Sequence, residues 1–287
     1  MDDFQNYEGC NEILNVTRPD IISSIHAQYL KAGAEAIENA MKIARYSTGR
    51  TGVIAFGGAF HGRSMFSVAL TGKVQPYKAG FGPFPPEIYH VPFPCHCSSL
   101  ADTQKAMEQV FKCDIEPSRV AAIVFEPVQG EGGFNPIQPA AVKWLRELCD
   151  QHGILLIADE VQTGFARTGK LFAMEHYGVS PDLITMAKSL AGGTTLSAVS
   201  GRQAVMDAPA PGGLGGTYAG HPLAIAASHA VLDVMQEEKL PERAQLLGDK
   251  LIAHLNAKKK TYARMGDSLP YLPLLNGKSV PLNSALA

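Results

Sequence analysis

The sequence predicts an α/β fold built on a mostly parallel sheet. Short, β-rich apolar runs alternate with amphipathic helical patterns, the order in which a parallel sheet and its crossover helices follow one another along a chain. The hydrophobic content is 46% against 18% charged residues, enough to bury a sizeable core and to exclude disorder of the chain as a whole. With 287 residues, and at roughly 150 residues per domain, the chain holds about two domains or one large α/β domain with added elements.

Taken in order, Ala34 to Arg45 reads as an amphipathic helix with Ile37, Ala40, Met41 and Ala44 on the buried stripe. Glu38 is placed to pair with Lys42 at i, i+4, and Gly33 stands at the helix start. Val53 to Phe56 is the first strand and Val120 to Phe125 the second. Pro139 to His152 is a crossover helix with Ala141, Trp144, Leu145 and Leu148 on one face. Pro139 occupies its first turn and Gly153 follows its end, so both stops are present. Ile154 to Ala158 and Leu183 to Ala187 are further strands, and helices follow from Pro222 to about Glu238 and from about Arg243 to Asn256. Residues 1 to 30 and 258 to 287 show no sustained period, and Lys258-Lys259-Lys260 reads as a solvated end.

Charge and composition exclude several functions. Twenty-five Lys and Arg against 27 Asp and Glu give a net charge of −2, so no positive field is available for nucleic acid or an anionic membrane. Apolar runs such as Ile154 to Ala158 are too short to span a bilayer. Met1-Asp2-Asp3-Phe4 leads into no apolar segment of signal-peptide type, and a cytoplasmic location is expected. The odd set Cys10, Cys95, Cys97, Cys113 and Cys149 agrees with a reducing compartment. Cys95-His96-Cys97 lacks the second ligand pair that a metal site needs, so no metal is expected. His90, His96, Cys113, Cys149 and Trp144 read as packing or solvated residues.

In open parallel sheets ligands gather at the carboxyl ends of the strands. The second strand is followed by Glu126-Pro127-Val128-Gln129-Gly130-Glu131-Gly132-Gly133, the third by Asp159-Glu160-Val161-Gln162-Thr163-Gly164, and the fourth by Lys188-Ser189. Neighbouring strand tips lie about 4.8 Å apart, so Asp159 and Lys188 can face one ligand, although a solvated rim pair is the plainer reading. Gly33-Ala34-Glu35 at a helix start offers backbone N–H groups to a phosphate. Gly212-Gly213-Leu214-Gly215-Gly216-Thr217 offers more, and Phe60-His61-Gly62-Arg63 supplies a flat ring and a guanidinium. A phosphate site, a flat ring, a carboxylate and a lysine together describe pyridoxal phosphate. A nucleotide-binding alternative, Gly164 to Lys170 as GxxxxGK, fails because Leu171 stands where Mg²⁺ needs Ser or Thr.

These motifs, with Gly33-Ala34-Glu35-Ala36-Ile37-Glu38-Asn39-Ala40, Ala187-Lys188-Ser189 and Gly215-Gly216-Thr217-Tyr218-Ala219-Gly220, resemble the class III (omega) aminotransferases of fold type I, and most closely their members that use 4-aminobutyrate. The resemblance covers about residues 33–256. It implies a three-layer α/β/α large domain at 33–240, an atypical segment at 1–32, and at 241–287 the start of a largely missing small domain with an atypical tail. It further implies Lys188 as the Schiff-base lysine and Asp159 as partner of the pyridine nitrogen. Phe60 and Val161 cover the two ring faces, Gln162 meets the ring hydroxyl, His61 lies beside the cofactor, and Gly33 and Ala34 bind its phosphate. Thr217 reaches the phosphate of a neighbouring subunit, which implies a homodimer or homotetramer. Arg63 holds the distal carboxylate of the donor, and Glu131 pairs with a carboxyl-terminal arginine that has no counterpart here.

The implied reaction moves the amino group of 4-aminobutyrate to 2-oxoglutarate in a ping-pong cycle, giving succinate semialdehyde and glutamate. Ornithine- or acetylornithine-type donors are the alternative, and a catalytically impaired fragment is another. Ala32, Thr194-Thr195 and His221 depart from the family pattern. With the unmatched ends, they suggest a fragment or frame-disturbed copy of a longer enzyme.

Overall fold

The computed structural model describes residues 19–259 apart from Cys97 and Tyr218, with side chains placed between residues 33 and 257. Expectations for residues 1–18 and 260–287, for Cys10 and Cys97, and for the side chains of Lys258, Lys259 and Lys260 lie outside the described residues.

Within that span the elements are α1 (Pro19–Thr48), β1 (Gly52–Phe56), α2 (Met65–Leu70), β2 (Ile88–Val91), α3 (Leu100–Cys113), β3 (Val120–Phe125), β4 (Val128–Gln129), β5 (Asn135–Pro136), α4 (Pro139–His152), β6 (Leu155–Asp159), β7 (Leu183–Met186), β8 (Ala198–Gly201), α5 (Gln203–Met206), α6 (Pro222–Glu237) and α7 (Leu240–Lys259). Six strands form one sheet in the order β2-β1-β3-β6-β7-β8. Every pairing is parallel except β7 with β8. A separate antiparallel pair, β4 with β5, stands beyond the end of β3.

Both faces of the sheet are covered, because strand side chains alternate between faces and both alternating sets are apolar. Ile54, Phe56, Ile123, Phe125, Leu156 and Ala158 point to one side, where they pack with Met107 of α3 and Ala141, Leu145 and Cys149 of α4. Val53, Ala55, Ala122, Val124 and Ile157 point to the other, against Ile37, Ala40, Met41 and Ala44 of α1. This is the α/β/α arrangement expected, and the α1 stripe is the one its 3.6-residue period marks out. Pro139 at the first turn of α4 and Gly153 as its left-handed cap, φ 64°, also match expectation.

Two differences matter for the site. The first is that α1 begins at Pro19 rather than at Gly33. The second is that β2 and β8 extend the sheet at its two edges, where strands are short and only partly buried. At the carboxyl side, α6 packs on the turn Lys188–Ala191 and α7 packs on α6. Among the described residues no helix is long and apolar enough to cross a membrane.

Candidate active site

The carboxyl ends of β3, β6 and β7 open into a cavity of ≈ 320 Å³. Phe60, His61, Asp159, Val161, Gln162 and Lys188 line it, as do Gly33, Ala34 and Glu131. Nine of the residues picked from the sequence therefore meet in one place. Arg63 stands outside that lining, exposed, with its guanidinium over the rings of Tyr77 and Phe60 at 5.1 and 5.9 Å. Thr217 lines a different cavity, of ≈ 760 Å³.

Strand register builds the acidic floor. Asp159, the last residue of β6, is the parallel partner of Thr185 in β7, and the Thr185 hydroxyl donates to Asp159 Oδ1 at 3.0 Å. The Val161 amide donates to the same oxygen at 3.1 Å. His61 Nδ1 donates to Oδ2 at 2.7 Å. Asp159 is only 3% exposed, yet three donors fix its two oxygens in place, and the lone pairs of those oxygens leave room for one more. Burial opposes charging of His61, but the hydrogen bond and charge of Asp159, with the charge of Glu126, outweigh it and hold the imidazole above its ordinary pKa. His61 Nε2 is buried without a partner among the described residues, so this wall of the cavity keeps one polar atom in reserve.

Lys188 follows β7 on a tight turn with φ 45°, a left-handed conformation that costs a lysine of order 1–3 kcal/mol and is typical of positions held for function. Its ammonium donates to Gln162 Oε1. Burial lowers its pKa, and Arg167 adds to that; Asp159, Glu126 and Glu131 pull the other way without restoring it. The amine is thereby poised to lose its proton more readily than an ordinary lysine.

Glu126 was quoted from the sequence only as part of a motif, and the structure gives it a role. Its carboxylate accepts from the Phe60 amide at 2.9 Å and the Gly130 amide at 3.4 Å, fixing two walls of the cavity. Burial, with Asp159 adding to it, raises its pKa to about 7, against the pull of His61 and the two amides. Glu160 steadies the loop carrying Val161 and Gln162: it accepts from the amides of Ala173 at 3.0 Å and Met174 at 2.8 Å. Thr185 and Tyr77 are the other contributors that sequence reasoning missed. Thr185 sits mid-strand, where a hydroxyl reads as ordinary β propensity, and Tyr77 lies in a loop with no period.

The amides of Gly33 and Ala34 sit differently from the helix start read in the sequence. Gly33 and Ala34 line the cavity, but α1 runs through them from Pro19, so their amides fall within the i→i−4 ladder instead of projecting free from a helix start. The glycine has another use: a Cβ at Gly33 would meet Val161 Cγ1 at 3.0 Å, so the bare backbone lets α1 close against the loop after β6. Gly62 is equally constrained, at φ 131° with a Cβ that would come within 2.6 Å of the Ala34 methyl. Glu131, expected to pair with an arginine, instead accepts from the Tyr77 hydroxyl at 2.9 Å.

Phe60 and Val161 in the lining of one cavity, with an anchored carboxylate and a lysine of lowered pKa, suit a flat cationic heterocycle carrying an aldehyde. The sequence agrees with that geometry: residues 4–269 match the family described as Aminotransferase class-III. The chain belongs to the class III aminotransferases. It is 57% identical over 237 residues to a 5-aminovalerate aminotransferase of Pseudomonas putida, and 55% identical over 237 residues to a 4-aminobutyrate aminotransferase of Escherichia coli; each match covers 82% of this chain and 56% of that protein. The chain thus spans a little over half the length of these relatives. An amine transaminase from an uncultivated Pseudomonas species, solved with pyridoxal phosphate bound, superposes with a TM-score of 0.74 at 33% identity, covering 80% of this chain and 57% of that one. Pyridoxal 5′-phosphate is the cofactor that membership of the class III aminotransferases brings, and the ring end of the cavity fits it.

Proposed function

We propose that the chain supplies the cofactor-binding part of an ω-amino acid aminotransferase, moving the amino group of 4-aminobutyrate, or of its five-carbon homologue, to 2-oxoglutarate in a ping-pong cycle. The observation that carries this reading is the pairing, in one cavity, of a buried and triply held Asp159 with a Lys188 of lowered pKa. The cofactor, when bound, supplies an electron sink for the carbon next to the amine. Lys188, as a neutral amine, is the attachment point and the base that carries a proton to and from that carbon. Asp159 keeps a proton on the ring nitrogen, since a fixed opposite charge favours the charged form. Thr185 and His61 hold Asp159 in place. Phe60 and Val161 exclude water from the ring faces, Gln162 meets the ring hydroxyl, and Arg63 receives the distal carboxylate.

Gly33 and Ala34 border the phosphate end, where Thr217 from a second copy of the chain adds a hydroxyl in a homodimer or homotetramer. Glu131 serves the second substrate, and the protein works in the cytoplasm. Relatives named for 4-aminobutyrate and 5-aminovalerate at similar identity support an ω-amino donor. Exposed Leu223, Leu246, Leu247 and Leu251 on α6 and α7 favour a second reading, in which the chain is catalytically impaired until another polypeptide covers them. Circular dichroism and a sizing column separate the two, a poorly ordered monomer favouring impairment.

The main test is to mix the purified chain with pyridoxal phosphate, reduce with borohydride and map the modified peptide. Modification at Lys188, absent in Lys188→Ala, is expected; no adduct, or an adduct on another side chain, overturns the reading. Half-reactions with 4-aminobutyrate, 5-aminovalerate and ornithine then rank the donors.

A further inference from the structure

At the mouth of the cavity one side chain touches three of the residues discussed above. The Tyr77 ring lies 5.1 Å from the Phe60 ring, tilted by 55°. The Arg63 guanidinium stands over the same Tyr77 ring at 5.1 Å, within range of a cation–π attraction. The Tyr77 hydroxyl donates to Glu131 Oε2 at 2.9 Å, and Lys73 Nζ donates to the Glu131 carbonyl at 2.6 Å, which pins the loop beneath it.

Arg63 and Glu131 carry opposite charges and both border Tyr77, yet the ion pairs among the described residues do not join them. Both fields reach the phenol: burial, the hydrogen bond to Glu131 and the Glu131 charge raise its pKa, while Arg63 lowers it. The phenol fills the place that a direct pairing would take, with its face to the cation and its hydroxyl to the anion.

We infer that Tyr77 is a positioning residue for the amino donor, holding Glu131 away from Arg63 so that the guanidinium stays open to the donor's distal carboxylate. This rests on the reading of Arg63 given under Proposed function. Without the hydroxyl, Glu131 is released toward Arg63 and competes with the substrate. With the ring kept, the stacking on Arg63 and Phe60 persists.

Tyr77→Phe separates these contributions. Affinity of the full chain for 5-aminopentanoate is measured by calorimetry beside 5-aminopentan-1-ol, which lacks the carboxylate. Tyr77→Phe is expected to weaken 5-aminopentanoate about fivefold, the equivalent of an exposed ion pair formed in competition, and to leave the alcohol unchanged. Tyr77→Phe combined with Glu131→Gln is expected to return the affinity to within about twofold of the parent, because the competing charge is gone; a purely structural role would make the double variant no better than the single one. Unchanged binding in Tyr77→Phe, or no recovery in the double variant, overturns the inference. Arg63→Ala tells which reading has failed. If it leaves the carboxylate preference intact, or if the parent chain shows no preference, the assignment of Arg63 falls and this inference with it. If it abolishes the preference while Tyr77→Phe has no effect, only the role of Tyr77 falls.

Discussion

Asp159 Oδ2 and His61 Nδ1 lie 2.7 Å apart with side chains 4% and 0% exposed, so each of the two groups is held by a neighbour as inaccessible to water as itself. Breaking such a pair leaves a buried charge uncompensated. His61→Ala should lower stability by about 3 kcal/mol, read from urea denaturation. Asp159→Asn should slow amine transfer on the order of 100-fold, the usual effect of removing one preorganised electrostatic group. Near-parental rates in Asp159→Asn would contradict the role given to it.

Glu126 sets a pH dependence of folding. Its pKa is about 7 in the folded chain against an ordinary 4.5, so the folded state binds more protons than the unfolded one between those values. The stability it contributes is complete below about 4.5 and is lost as pH rises through about 7, with a slope of up to about 1.4 kcal/mol per pH unit. The raised pKa of His61 acts in the same sense: its contribution is present below the ordinary value of 6.5 and is lost as pH rises through the folded value. Glu126→Gln should therefore flatten a plot of melting temperature against pH over this window. Superimposable plots for the variant and the parent would refute the assignment.

Lys188 behaves oppositely to a solvated lysine. Because burial lowers its pKa below 10.5, the rate of borohydride-trapped attachment of pyridoxal phosphate should reach its half-maximum at a pH below that of free lysine. A midpoint at or above the free value would show that the amine is not desolvated in solution.

Asp182 offers a control far from the chemistry. It is 1% exposed, meets Arg146 Nη1 at 2.8 Å and Arg202 Nε at 2.9 Å, and accepts from the Leu156 amide at 2.7 Å. Asp182→Ala leaves the Leu156 amide without its acceptor and Arg146 with Asp150 alone, and should cost about 1–3 kcal/mol. A loss under about 1 kcal/mol would mean that the surroundings relax far more than this packing suggests.

Most of the sheet was legible because its central strands are buried on both faces and read as unbroken apolar runs, as in Val120–Phe125. Edge strand β2, Ile88–Val91, was not: it holds an exposed His90 and follows a Pro- and Gly-rich loop, so it carries neither a run nor a clean alternation. Helix α3 carries a capping box at Ser99 and Asp102, a signal that was present and went unread. Lys188 and Asp159 could be picked out because they end strands, whereas Thr185 depends on the β6–β7 register, which no local pattern specifies. The start of α1 was misplaced because Gly33 resembles a helix entry; here the helix runs on through it.

The φ of 45° at Lys188 sets thermodynamic fitness against chemical fitness at a single position. Glycine visits that region freely, whereas an L-residue gives up roughly 1–2 kcal/mol there. On the role proposed for Lys188, Lys188→Gly should accordingly melt above the parent and fail to tether a coenzyme: a hardier protein, and an inert one.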